Sequence, residues 1–270
     1  LDAAAKTAQS IGANTFQYFT RNPRGGAART IGEAEKEKWS RLRLEYDINP
    51  IVGHLPYTVN MAAPVDKTYE FARMVVRDDL LRMDAVGTAF LVVHPGSHSG
   101  SGRQEGLKRI TGCLEEVFNA FAGQTMLLLE TMAGQGSEIG LPADLKEIMA
   151  MLGWPAGLGV CIDSCHLTAA GYDFLRREEV ERLVCELEGT VGMDRVLAMH
   201  LNDTRFPPGS RRDRHELIGK GYLGRKGVMN LITHPALAGL PILLETPVED
   251  FRHYGREIAL IRSWLAEDLA

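Results

Sequence analysis

From end to end the chain alternates between short apolar runs and longer stretches of helical period, and this restricts its fold more than any other feature. The runs lie at Thr15–Phe19, Pro50–Leu55, Ala89–His94, Met126–Thr131, Gly159–Asp163, Val196–Leu201 and Ile242–Thr246. Helical stretches fall at Ile31–Tyr46, Asp66–Val86, Glu105–Ala122, Ala143–Leu152, Glu178–Val191 and Val228–Ile232, with a closing helix near Glu257–Leu269. Segments such as LVVH, LLLE and VCID are apolar throughout, as strands covered on both faces should be. Strand–helix alternation without a composition break predicts one α/β domain, residues 1–270, around a parallel sheet. A closed barrel of this type has eight strands. Seven are visible, and the chain opens at Leu1 with the helix-like LDAAAKTAQSIGA. The expectation is therefore a TIM (β/α)8 barrel whose first strand is missing at the N-terminus, with an open doubly wound sheet as the alternative on count alone.

Polar residues then repeat at one place, the downstream end of each run. His54 follows NPIVG, His94 follows FLVV and Glu130 follows MLLL. Asp163 follows GVCI with His166 three residues on, His200 follows VLAM, and Glu245 follows ILL. In a parallel barrel all strand C-termini open on one face, so these groups converge. A charged or imidazole group ending an apolar strand is costly unless it is paired or holds an ion. One such residue is readily a satisfied structural side chain, whereas six strand ends in one chain describe a site. Asp213 and His215 add a D-x-H pair whose side chains point the same way in an extended segment. Imidazole mixed with carboxylate suits zinc or manganese better than calcium or magnesium.

Other features carry less. His98 is read as hydrogen-bonded within the HPGSH turn, and His234 and His253 are assigned no role. Cys161 and Cys165 flank Asp163 and are read as small buried strand residues, and all four cysteines as reduced thiols of a cytosolic protein. The Gly134–Gly140 stretch GQGSEIG is as consistent with a plain loop as with a phosphate cradle. A formal charge of −5 argues against coating nucleic acid by sheer basicity. No apolar run is long enough to cross a bilayer.

The motifs HPGSH (His94–His98), ETMAGQGSEIG (Glu130–Gly140), GVCIDSCHLTAAGYD (Gly159–Asp173), MHLNDTRFPPGSRRDRHELIGKG (Met199–Gly221) and PILLETP (Pro241–Pro247) resemble the endonuclease IV family of apurinic/apyrimidinic endonucleases. The likeness runs from about Thr15 to the C-terminus. It departs upstream, where the family begins with a strand carrying G-x-H-x-S. The resemblance implies three zinc ions: one on His54, His94 and Glu130; one sharing Glu130 and adding Asp163, His200 and Glu245; one on His166, Asp213 and His215. It implies hydrolysis, by zinc-activated water, of the phosphodiester 5′ to an abasic site in duplex DNA. The products would be a 3′-hydroxyl and a 5′-deoxyribose phosphate, and blocked 3′ ends would be processed by the same chemistry. Glu130, as the bridging carboxylate, would be the catalytic residue. Arg24 and Tyr57 would contact DNA, wedging into the duplex at a nucleotide that has already lost its stacking and pairing.

Two other readings predict different behaviour. A sugar isomerase or epimerase on the same barrel would need one divalent ion on Glu130, Asp163, His200 and Glu245, leaving the other five ligands without work. An impaired damaged-DNA-binding relative would keep the fold and turn nothing over. A monomer with no protein partner is the default.

Overall fold

The computed structural model describes residues 1–22 and 28–268. Seven parallel strands form one sheet: β1 (Phe16–Phe19), β2 (Ile51–His54), β3 (Phe90–Val93), β4 (Met126–Glu130), β5 (Leu158–Asp163), β6 (Val196–His200) and β7 (Ile242–Leu243). Spatial order equals chain order, β1 at one end and β7 at the other. This is the expected barrel, nearly closed and left open at one seam. Each strand is shorter by a residue or more than its apolar run, except β5, which gains Leu158. The lost residues lie at the strand tips, where the regular ladder ends, although Leu55, Ala89, Thr131 and Leu201 each still donate one backbone hydrogen bond to a neighbouring strand.

Helices form the outer ring: α1 (Asp2–Ser10), α2 (Glu33–Glu45), α3 (Asp66–Asp84), α4 (Arg103–Ala120), α5 (Pro142–Met151), α6 (Ser164–Ala170), α7 (Arg177–Thr190), α8 (Gly224–Ile232) and α9 (Tyr254–Asp268). In α3 the buried set Ala72, Val75, Val76, Leu80 and Met83 keeps to one face at helical spacing. Asp66 in its first turn and Arg82 in its last suit the helix dipole. Proline opens α5, where its missing N–H costs nothing, and Asp144 accepts from the Gly140 and Leu141 amides there. Near the seam, α9 meets the N-terminal segment, Arg262 donating to the Gly12 carbonyl at 2.9 Å.

Inside the sheet, one residue from each of β2 to β7 forms an apolar layer: Val52, Val92, Leu128, Cys161, Ala198 and Leu243. Their neighbours along the strands, including Leu91, Leu127, Leu129, Val160, Ile162 and Met199, pack outward under the helices. Side chains on a strand alternate faces, so the residue two further on points inward again, one layer higher. Those residues are His54, His94, Glu130, Asp163, His200 and Glu245. The apolar layer is the floor of whatever these six build.

Candidate metal centre

Glu130 is the hub. Its carboxylate is fully buried at the end of β4. Oε2 faces the Nε2 atoms of His54 and His94, each at 3.1 Å. Oε1 faces Nδ1 of His200 at 3.0 Å and Nδ1 of His166 at 3.2 Å. His200 Nδ1 also lies 3.3 Å from Glu245 Oε2 and 3.9 Å from Asp163 Oδ2. Asp213 completes the arrangement, each of its oxygens 3.3 Å from an Nε2, of His166 and of His215.

All nine sequence-predicted ligands therefore meet at one mouth. Ligand atoms lie within 4.8 Å of one another in the sets His54, His94, Glu130; Glu130, Asp163, His200, Glu245; and His166, Asp213, His215. Cys165 also comes within that reach of Asp163 and His215. Burial, seconded by the Asp163 charge, pushes its thiol up to about 12, which keeps it protonated; Cys165 is buried as expected but sits in α6, not on a strand, because the chain turns into that helix at Asp163.

The orientation of the imidazoles is fixed by what their other nitrogens do. His54 Nδ1 donates to the Leu55 carbonyl at 2.5 Å, His166 Nδ1 to Thr131 at 2.8 Å and His215 Nδ1 to Glu245 at 3.0 Å. Each thereby presents an Nε2 lone pair inward. His166 Nε2 and His215 Nε2 are buried without a hydrogen-bond partner, both beside Asp213. Two lone pairs converging on a carboxylate repel unless a cation sits among them, so the donors fit a divalent metal. In the metal-free protein, protons take that place. Burial alone would push His215 down, but its bond to Asp213 and the charges of Asp163 and Glu245 outweigh it and hold it at about 9. Against the cost of burial, His166 is likewise raised by Asp163, Asp213 and Glu130, and His200 by Cys161 together with Glu245 and Glu130. Glu130 moves the other way: burial opposes, but His200 and His94 hold it well below the usual carboxylate range.

Three further groups hold the candidate ligands in place: two, Asn202 and Gln17, are uncharged amides that a search for ligand-type residues passes over, and the third, Asp203, is a carboxylate that the sequence reading did not single out. Asn202 donates to Asp163 Oδ2 at 2.6 Å and accepts from the Glu245 amide at 2.8 Å. Asp163 also caps α6, its Oδ1 accepting from the His166 amide at 2.7 Å. Asp203, fully buried, accepts from the amides of Thr204, Gly219, Gly221, Leu223 and Gly224 and so ties down the loop that carries Asp213 and His215. A short ribbon pairing Asp203–Thr204 with His215–Glu216 fixes the same loop. Gln17 of β1 touches His200 and Glu245.

Around the mouth, Tyr57 is exposed on the loop after β2. Arg24 lies outside the described residues, but the chain leading to it is anchored, since Asp79 of α3 is buried and accepts from Thr20, Arg21 and Arg82. A cavity of about 470 Å³ beside Asp213 is lined by Gln135, Phe206, Ser210, Arg211, Arg212 and Arg214. His98 accepts from the Gly102 amide at 3.2 Å, so its bond is local but falls after the HPGSH turn and not within it.

A family model described as "Xylose isomerase-like TIM barrel" matches residues 5–267. The "Probable endonuclease 4" of Moorella thermoacetica is 52% identical over 263 residues, 97% of this chain and 94% of that one. The protein of the same name from Heliobacterium modesticaldum is 44% identical, covering 98% and 95%. The chain belongs to the endonuclease IV family. The crystal structure of endonuclease IV from Thermus thermophilus superposes with a TM-score of 0.86 at 30% identity, covering 98% of this chain and 94% of that one. A D-tagatose 3-epimerase-like protein also superposes, at a TM-score of 0.72 and 19% identity, and shares the barrel only. The fold thus leaves an isomerase open, and membership of the endonuclease IV family, a family of metal-binding hydrolases, does not.

Proposed function

We propose that the chain hydrolyses the phosphodiester 5′ to an abasic site in duplex DNA, leaving a 3′-hydroxyl and a 5′-deoxyribose phosphate, with three zinc ions on the nine ligands named above. Processing of blocked 3′ ends would use the same centre. The observation that carries this reading is the position of Glu130, one oxygen shared by His54 and His94 and the other facing His200 and His166. A one-ion isomerase would use Glu130, Asp163, His200 and Glu245 and leave the two imidazole-rich sets unexplained.

Zinc held there would acidify a bound water from about 16 towards about 7 and act as a Lewis acid on phosphate oxygens. The chain's own residues do the rest. Glu130 links the sets, so the reacting phosphate would meet one continuous patch of positive potential. The apolar layer below keeps bulk water from the floor. His94, Asp213, His215 and Glu245, only part-buried, form the open side through which a flipped-out nucleotide would enter. Tyr57 and Arg24 would fill the gap in the duplex, and Arg211, Arg212 and Arg214 would meet backbone phosphates. Spatial order matching chain order supports a single barrel domain over residues 1–270.

The test is cleavage of a duplex carrying one abasic analogue, with and without chelator, alongside a zinc count. Wild type should cleave 5′ to the lesion with about three zincs per chain. Glu130→Ala should lose metal and nearly all cleavage while keeping some duplex affinity. One ion per chain with sugar epimerisation would reject the proposal, as would metal-replete chain that binds the lesion without cutting.

A further inference from the structure

We infer that Gln17 is a positioning residue for the Glu130, Asp163, His200 and Glu245 set, fixing two of its ligands at once across the open seam. This rests on the metal-centre reading, in that a cation must occupy that set. Gln17 Oε1 accepts from His200 Nε2–H at 2.8 Å, and Gln17 Nε2 donates to Glu245 Oε1 at 2.6 Å. The first bond commits His200 to the tautomer whose Nδ1 lone pair faces Glu130, Asp163 and Glu245. The second holds Glu245 by the oxygen that does not face His200, leaving Oε2 directed inward.

The contrast with the other imidazoles gives this weight. His54, His166 and His215 each donate to a backbone carbonyl. No side-chain substitution removes those acceptors. For His200 alone, among these four, the same task falls to a side chain. The chemistry also selects glutamine: an acceptor is needed for His200 and a donor for Glu245. Glutamate would repel Glu245, lysine accepts nothing, and asparagine is a methylene shorter.

The placement is equally specific. Gln17 is the register partner of Val52, a member of the apolar layer. An amide in that layer is costly without polar partners, and its partners are two ligands. It also joins β1 to residues on and after β6 and β7, the far end of the sheet, where no strand ladder joins β1 to β7 among the described residues. Loss of partners that orient metal ligands typically weakens metal binding 10–100-fold.

The experiment compares wild type, Gln17→Met and Gln17→Ala as full chains, reading stepwise zinc affinity by chelator competition and cadmium NMR for one resonance per bound ion. Both variants should lose about 10–100-fold in affinity for one ion, with one resonance shifted, the others unmoved and metal-free melting temperature unchanged. Loss in Gln17→Ala but not in Gln17→Met would assign the effect to packing and overturn the inference. Uniform loss over all ions with a lowered metal-free melting temperature would do the same, as would unaltered affinity in both variants. Fewer than three ions on wild type would reject the three-ion reading while leaving the Gln17 comparison legible on the ion held by Glu130, Asp163, His200 and Glu245; no ion there overturns both.

Discussion

Asp203 and Asn202 are not among the nine candidate ligands, yet the mouth those ligands form depends on both. Asp203 meets five backbone amides with two oxygens; it is fully buried itself, as are two of the donors, Thr204 and Leu223. Replacing it by alanine should cost roughly 3–5 kcal/mol, the scale for removing one partner of a buried charged network. The loop carrying Asp213 and His215 should loosen, so the set completed by His166 should empty first. Denaturant unfolding and a zinc count check both parts, and wild-type stability with full zinc would refute the assignment. The six candidate ligands at strand ends were legible because a charged or imidazole group ending an apolar run is energetically conspicuous. Gln17 and Asn202 were not, since an uncharged amide is common in loops and at strand edges and only its partners reveal its task.

Among the elements, the strands were readable from runs such as FLVV and MLLL, which suit a layer covered on both faces. Helix α6 was not. It spans Ser164–Ala170, too short for a periodic pattern, and exists because Asp163 caps it. The ribbons at Asp203–Thr204 and His215–Glu216, and at Gly96–Ser97 and Glu138–Ile139, are two residues a side and leave no periodic trace. The loop between β6 and α8 carries the arginines of the cavity beside Asp213, where Arg212 stacks on Phe206 with 4.9 Å to the ring centroid. Arg211→Ala with Arg212→Ala should weaken duplex binding at low salt and flatten its salt dependence, by about 0.9 in log–log slope for each phosphate no longer neutralised. Cleavage of bound substrate should change much less. Binding isotherms at several salt concentrations decide it, and an unchanged slope would remove these residues from the DNA path.

At the scale of the molecule, four carboxylates and five imidazoles share one mouth, and pH sets which cation balances them. His215 rises from an ordinary 6.5 to about 9 in the metal-free protein. Because its folded value is raised, its stabilising contribution is full below about 6.5 and is lost as pH climbs through about 9. Metal needs the neutral ring, so the two effects oppose each other. The metal-free melting temperature should fall between those limits while zinc affinity climbs, and zinc loading at pH 7 should release protons. Calorimetry in buffers of different ionisation enthalpy measures that release; proton-neutral loading would contradict the charge balance described.

The apolar layer beneath the donors has a consequence for assembly. Val52, Val92, Leu128, Cys161, Ala198 and Leu243 plug the lumen with hydrocarbon that needs no ion to hold it together. A metal ion would therefore reach a finished vessel instead of templating one, unlike small domains that unravel when stripped. Chelation should silence the protein while leaving its far-ultraviolet dichroism intact, and adding zinc back should revive it without a refolding delay.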